Sequence, residues 1–102
     1  DLTQRVSVTG EIKEVQFRNP HGHMMLSVKG ADGKVSDWEI ETSAANLLLR
    51  RGWKFKEVHV GDTITATGHP NKERGQYLYV REIKLKDGRV FGDPTGNDKA
   101  LD

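Results

Sequence analysis

The chain contains no cysteine. That absence excludes thiol catalysis and thiolate metal sites, and it fits an exported protein that needs no disulfide. Long apolar runs are missing too, so the sequence offers no candidate transmembrane helix. Neither sign of charge dominates: sixteen Lys and Arg stand against fifteen Asp and Glu, a formal charge of +1. The two signs alternate along the chain, which makes a solvated surface without the basic excess of a general nucleic-acid binder. Catalytic signatures are absent as well. There is no Gly-x-Ser-x-Gly elbow, no His-Glu-x-x-His and no phosphate-cradling glycine loop, so the expectation is a non-enzymatic protein. Glu57 and His59 lie two apart, as an exposed alternating strand would place them.

What is present reads as one domain of 102 residues. A chain this long buries roughly two thirds of the surface its unfolded form exposes, so neither metal nor disulfide is needed for folding. The chain begins at Asp1 without a methionine, and the expectation is that an N-terminal segment was removed, by signal peptidase or by truncation of the expressed gene. Short β-runs follow one another. In the first, Val6, Val8 and Ile12 alternate with polar residues before the apolar phase slips to Val15 and Phe17. A one-residue slip marks a β-bulge, and Gly10 permits a bend, so this strand can serve two sheets. A run from Met24 to Lys29 leads through Gly30-Ala31-Asp32-Gly33, whose glycines supply hairpin turn angles, into a run from Lys34 to Glu41.

Then the period changes. Thr42 or Ser43 is placed as an N-cap ahead of Ala44 to Arg51, and Gly52 as the C-terminal stop of one short helix. Val58, Val60, Ile64, Ala66 and Gly68 form the next alternating run, Tyr77 to Leu85 the last long one, and Asp87-Gly88 turns into Val90 and Phe91. From Gly92 on the composition is that of a loosely held tail, giving a domain at 1–91 and a flexible tail at 92–102. Three strands, a helix and two more strands is the order of the OB-fold, a five-stranded Greek-key barrel. The fold class is therefore mostly β, an OB-like barrel with its helix between strands 3 and 4. A small β-sandwich is the rival.

Asn19-Pro20-His21, Trp38-Glu39-Ile40-Glu41, Leu49-Arg50-Arg51-Gly52-Trp53, Gly61-Asp62, Thr67-Gly68 and Asp87-Gly88-Arg89 occur in that order. The ordered set resembles a family of small exported bacterial domains of unknown function, over roughly residues 6–91. The resemblance implies an OB-like barrel, a cleaved signal peptide and a periplasmic location, and it implies no activity. Members of that family often carry a His-rich stretch near the mature N-terminus, where this chain reads Asp-Leu-Thr-Gln-Arg.

The densest chemistry lies at 18–25, Arg-Asn-Pro-His-Gly-His-Met-Met. In an OB-fold the loops after strands 1 and 4 border the ligand face, here Arg18, Asn19, His21 and His23 on one side and the segment beginning at His69 on the other. His21, His23 and His69 with Met24 or Met25 make a candidate soft-metal site, because imidazole suits Cu and Zn and thioether selects Cu(I). The plain alternative makes His21 a loop anchor, Asn19 a cap of the turn shaped by Pro20 and Gly22, one methionine core and the other surface. Trp53, among Arg50, Arg51, Lys54 and Lys56, either grips an anion or plugs the barrel under the helix, and the plug is favoured. Trp38 shares a strand face with Ile40 and reads as core. Tyr77, Tyr79 and Arg81 alternate on one face and could stack a ligand. Asp37, Glu39 and Glu41 form an acidic row on the expected parallel neighbour, and pairing of Arg81 with those acids accounts for both rows.

The reading is a periplasmic, monomeric or weakly associating binding module for an unidentified small ligand or protein partner. Its ligand residues are Arg18, Asn19, Trp53, Tyr77, Tyr79 and Arg81. The first alternative is a copper-binding protein through His21, His23, Met24, Met25 and His69. The second is a single-strand nucleic-acid binder, against which the charge balance weighs.

Overall fold

The computed structural model describes residues 2–93 and 95. Its elements are β1 (Val6–Gln16), β2 (His23–Lys29), β3 (Val35–Glu41), α1 (Ala45–Arg50), a 3-10 turn at Phe55–Glu57, β4 (Thr63–Pro70), β5 (Tyr77–Leu85) and β6 (Val90–Gly92). The sheet order is β3-β2-β1-β4-β5-β6, and a further β3–β5 pairing closes strands 1 to 5 into a ring. That closing pair is parallel, while the other neighbours are antiparallel. The protein is an OB-like barrel. Val90 and Phe91 belong to a short sixth strand that lies outside the ring on β5.

β1 makes the barrel possible. It pairs with β4 from Val6 to Glu11 and with β2 from Gly10 to Gln16, so one strand serves both sides of the corner. Ile12 faces Leu26 but Glu14 faces Met25, which leaves Lys13 as the extra residue of a bulge. The bulge restores the apolar phase: Ile12 before it and Val15 after it both belong to or pack on the core. Gly10 sits where β1 crosses close to β2. A side-chain carbon there would lie 2.5 Å from the Ser27 carbonyl oxygen, so only glycine fits without moving the strand.

Inward-facing Ile12, Met24, Leu26, Ile40, Ile64, Leu78 and Ile83 are almost completely buried and form the core. The pattern has period two because successive strand side chains point to opposite faces. α1 closes one end. Gly52, at φ 91°, supplies the left-handed residue after the helix. Its N–H donates to the Leu49 carbonyl and the Trp53 N–H donates to that of Leu48, the paired bonds of a Schellman stop. The turn carries Trp53 under the helix, 3% exposed, against the rings of Phe17 and Phe91 at 6.1 and 6.0 Å. Trp53 is the plug. Its buried Nε1 has no hydrogen-bond partner among the described residues. Trp38 is half-buried and packs on the core beside Ile40.

Several expectations change. Neither Thr42 nor Ser43 caps the helix: the cap position is Ala44, which makes no side-chain capping bond. Thr42 is buried instead and donates to the Ser43 carbonyl. In the β2–β3 hairpin only Gly33 has positive φ, and Gly30 does not. Residues 58–60 are not strand, because the 3-10 turn ends at Glu57 and β4 starts at Thr63. Gly92 closes β6, and the Asp93 N–H donates to the Arg81 carbonyl, so ordered chain continues past 91. The rest of the expected tail, residues 94 and 96–102, lies outside the described residues.

Candidate functional site

The outer face of β2, β3 and the start of β5 is bordered by the loop at 17–22 and the loop at 71–76. The first loop is a structural clamp. Arg18 and Asn19 feed the start of α1: the Arg18 carbonyl accepts from the Ala45 N–H at 3.2 Å, and Asn19 Oδ1 accepts from the Asn46 N–H at 3.2 Å. Helix starts leave their first N–H groups unpaired, and here a distant loop supplies the acceptors. The Gly22 carbonyl accepts from the Thr42 N–H at 2.9 Å, which ties the same loop to the end of β3. The Asn19–Pro20 peptide is cis.

On the face itself the strand register brings polar residues into rows. His23 lies opposite Glu41, Glu41 opposite Tyr79, and Tyr79 opposite His69. One row further, Met25 lies opposite Glu39 and Glu39 opposite Tyr77. Arg74, from the second loop, reaches across this surface. Its Nη2 meets both oxygens of Glu39 at 2.9 Å, its Nη1 lies 3.4 Å from Glu41, and its guanidinium stands 4.1 Å over the Tyr77 ring. The Tyr77 hydroxyl donates to Glu41. Burial, reinforced by that carboxylate, holds the hydroxyl above the ordinary tyrosine range.

Glu41 is the hub. Its other oxygen lies 3.5 Å from His21 Nδ1, which is also 3.3 Å from the Thr42 carbonyl. Both neighbours are acceptors, so that nitrogen carries the proton. Tyr79 meets the Ser43 hydroxyl at 2.5 Å, and Arg81 stands 5.6 Å over the Tyr79 ring.

The expected metal set does not assemble. Met24 is fully buried in the core, and only Met25 reaches the outer face. His69 is no loop residue: it lies in β4, 3% exposed. Arg81 Nε–H donates to its Nε2 at 3.1 Å, so Nδ1 carries the proton and donates to the Gln4 carbonyl at 2.8 Å. Neither nitrogen is left for a metal. His23 lies beside Glu14 at 3.9 Å, and His21 is held at Glu41. Among the described residues no group of three or more His, Cys, Asp or Glu is placed to hold a metal ion. The residues do not fit a copper site.

The expected ligand set splits as well. Trp53 is enclosed in the core and cannot meet a ligand. Tyr77 is 6% exposed and committed to Glu41 and Arg74, whereas Tyr79 and Arg81 are half-buried on the face. Arg18 is exposed, and Asn19 is spent on the helix. Glu39 and Glu41 pair with Arg74 rather than Arg81. Register gives the reason: β3 stops at Glu41, whose partner is Tyr79, so nothing on β3 lies opposite Arg81. The sequence places Arg74, with Asn71 and Lys72, in the second loop bordering the face, but does not show its pairing with Glu39 and Glu41. The only signal of that pairing is a cation in the loop bordering the acidic row.

A separate cleft of about 420 Å³ lies at the junction of the 3-10 turn, the start of β4 and the β5–β6 turn, lined by Lys56, Glu57, His59, Asp62, Lys86 and Arg89 among others. Its acids are engaged. Glu57 pairs with Arg89, and Asp62 accepts from the His59 N–H at 2.9 Å. The Glu57–His59 pair thus belongs to a turn, with separate partners.

A family described as a family of unknown function, DUF6152, matches residues 1–78. No curated protein matches the chain. A solved structure with a similar fold is the mitochondrial single-stranded DNA binding protein Rim1 from S. cerevisiae, at 14% identity and a TM-score of 0.62. The alignment covers 81% of this chain and 93% of that one. At that identity the likeness is one of fold. No helix among the described residues is long and apolar enough to cross a membrane.

Proposed function

The chain belongs to the DUF6152 family, whose function is unknown, and we propose a role for it from the barrel face itself. It is a non-catalytic, exported binding module that takes a small ligand or a protein segment across the β2–β3 face, between the loops at 17–22 and 71–76. The ligand is cationic. One observation carries this reading: Arg74 already lies on Glu39, Glu41 and Tyr77 with a bidentate carboxylate contact and a ring contact. Those are the interactions by which a guanidinium is recognised. Arg74 comes from an exposed loop, and exposed ion pairs contribute only about 0–1 kcal/mol, so a competing cation displaces it at small cost.

Single-strand binding is the second reading, because an OB-like protein with that role shares this fold. The face speaks against it. A phosphate chain laid there meets Glu14, Asp37, Glu39 and Glu41, and the two tyrosine rings carry arginines above them. The proposed location is the periplasm, supported by the lack of cysteine and testable by fractionating cells that express the full-length gene.

The test is an amide NMR titration with N-acetyl-arginine amide, and with single-stranded oligothymidine as the comparison. The expected result is saturable shifts at residues 39–41 and 74–77 with the arginine compound, stronger in Arg74→Ala. Shifts at that face with the oligonucleotide alone would replace this reading with the second. No response of that face to the arginine compound, even in Arg74→Ala, would end it.

A further inference from the structure

The end of the barrel closed by α1 has a different character from the acidic face. Between Glu41 and Glu57 the sequence has no acid, and it carries Arg50, Arg51, Lys54 and Lys56. Arg51 is half-buried; Arg50, Lys54 and Lys56 are exposed, as is Arg18. Glu57, the acid that ends the stretch, is taken by Arg89. Arg18, Arg50, Lys54 and Lys56 form no ion pair among the described residues.

Three of these cations flank half-exposed aromatic surface in the chain, and Lys56 also borders the cleft at the 3-10 turn. Phe17 and Phe55 stack at 4.1 Å with nearly parallel rings and remain half-exposed. Their chain neighbours are Arg18 on one side and Lys54 and Lys56 on the other. Arg18 is held at the helix start through its carbonyl, and Arg50 lies in the last turn of the same six-residue helix. Beside Arg50, Leu49 is 56% exposed although its neighbour Leu48 is buried. The exposed leucine next to Arg50, and the half-exposed aromatic pair next to Arg18, Lys54 and Lys56, give this end of the barrel both apolar and basic character.

We propose that this end of the barrel docks on an anionic lipid surface. Charge complementarity selects the occupant: unpaired basic side chains gather near acidic headgroups, while Leu49 and the Phe17–Phe55 pair meet the boundary with the acyl region. The apolar part argues for lipid over nucleic acid. Phe17 and Phe55 already stack on each other, leaving no free ring face between them for a base, and an exposed leucine has no role on a phosphate chain. The binding is peripheral and reversible, because four cations and one aliphatic side chain give far less than a spanning helix. It uses a surface separate from the β2–β3 face and does not depend on what that face binds.

The experiment is co-sedimentation of the whole chain with vesicles of equal parts phosphatidylglycerol and phosphatidylcholine, with pure phosphatidylcholine vesicles and single-stranded oligothymidine as controls. Each basic group near an anionic surface is worth about a fivefold change in partitioning, so Arg50→Glu/Lys54→Glu/Lys56→Glu lowers it by roughly a hundredfold or more. Leu49→Ser weakens it further at high salt, where charge is screened. A matched variant, Lys29→Glu/Lys34→Glu/Lys72→Glu, changes net charge equally at exposed sites elsewhere and retains binding. Circular dichroism confirms that each variant is folded. Failure of the parent chain to sediment with the acidic vesicles overturns the proposal, as does equal loss in the matched variant. Binding of oligothymidine through the same three residues, without vesicle binding, replaces lipid by nucleic acid.

Discussion

Tyr77 links the stability of the barrel to the polar network on its face, and alkaline pH exposes the link. The residue is 6% exposed, and its hydroxyl donates to Glu41. Burial first, then the Glu41 hydrogen bond and charge, raise its pKa above the ordinary value near 10. Above about pH 10 the unfolded chain therefore releases this proton while the folded chain keeps it. The contribution is intact below the unfolded pKa and is lost as pH rises beyond it, at about 1.4 kcal/mol per pH unit. A domain of this size has about 5–15 kcal/mol in total, so one further unit is readily measured.

Tyr77→Phe removes the titration and also a hydrogen bond to a charged partner, worth roughly 1.5–3 kcal/mol. The variant is thus less stable at neutral pH, and the two proteins converge above about pH 10. Urea unfolding at a series of pH values, read by tryptophan fluorescence, measures the gap. Lysines titrate in the same range in both proteins and cancel in the difference. Tyrosinate absorbance adds an independent reading, because the chain has only two tyrosines and one of them ionises mainly on unfolding. Parallel pH slopes for parent and variant would show that Tyr77 is not buried on Glu41, and the hub role given to that acid would fall with it.

Two more predictions address residues that look like ligands in the sequence. Met24→Ala empties a fully buried site and costs about 2–5 kcal/mol, whereas Met25→Ala, on the outer face, costs less than about 1 kcal/mol by urea unfolding; equal costs would contradict the assigned strand faces. Asn19→Ala removes the acceptor for the Asn46 N–H and costs about 1 kcal/mol, with faster amide exchange at Asn46 as the local signature. Unchanged exchange there would mean that the side chain does not cap the helix.

Features set by neighbouring residues were readable in the sequence. The phase slip between Ile12 and Val15 announced the bulge, and it falls at Lys13 as an extra residue must. Gly52 marked the helix end because only the next few residues decide a C-cap. The acidic row and its parallel neighbour were legible from period two and strand order. Contacts made across long sequence separations were not. The helix cap comes from Asn19, 27 residues from Asn46, whereas local sequence points only to the nearby Thr42 and Ser43. Arg74 is 35 residues from Glu39, and no periodicity connects a loop to a strand. His69 read as a loop ligand because β4 runs on to Pro70, and a single chain gives no sign of where a strand stops.

For the same reason, the segment with the most side-chain chemistry is not the best place to seek a ligand. The carbonyls of Arg18 and Gly22, the Asn19 amide and the His21 ring all serve the junction of β3 and α1. The junction of β3 and α1 leaves backbone donors without partners in either element, the buried Thr42 N–H and the first N–H groups of the helix, and they need acceptors from elsewhere. A polar loop lying over it is the cheapest source. Chemical density in such a loop therefore measures the needs of the fold, and its groups are least available when the protein is folded. Availability is found where a partner is borrowed or missing. Arg74 lends itself to Glu39 and Glu41 from an exposed loop, and Arg18, Arg50, Lys54 and Lys56 form no ion pair among the described residues. A ligand gains most where it replaces a weak internal contact or supplies an absent one, since neither exchange leaves a buried polar group unpaired.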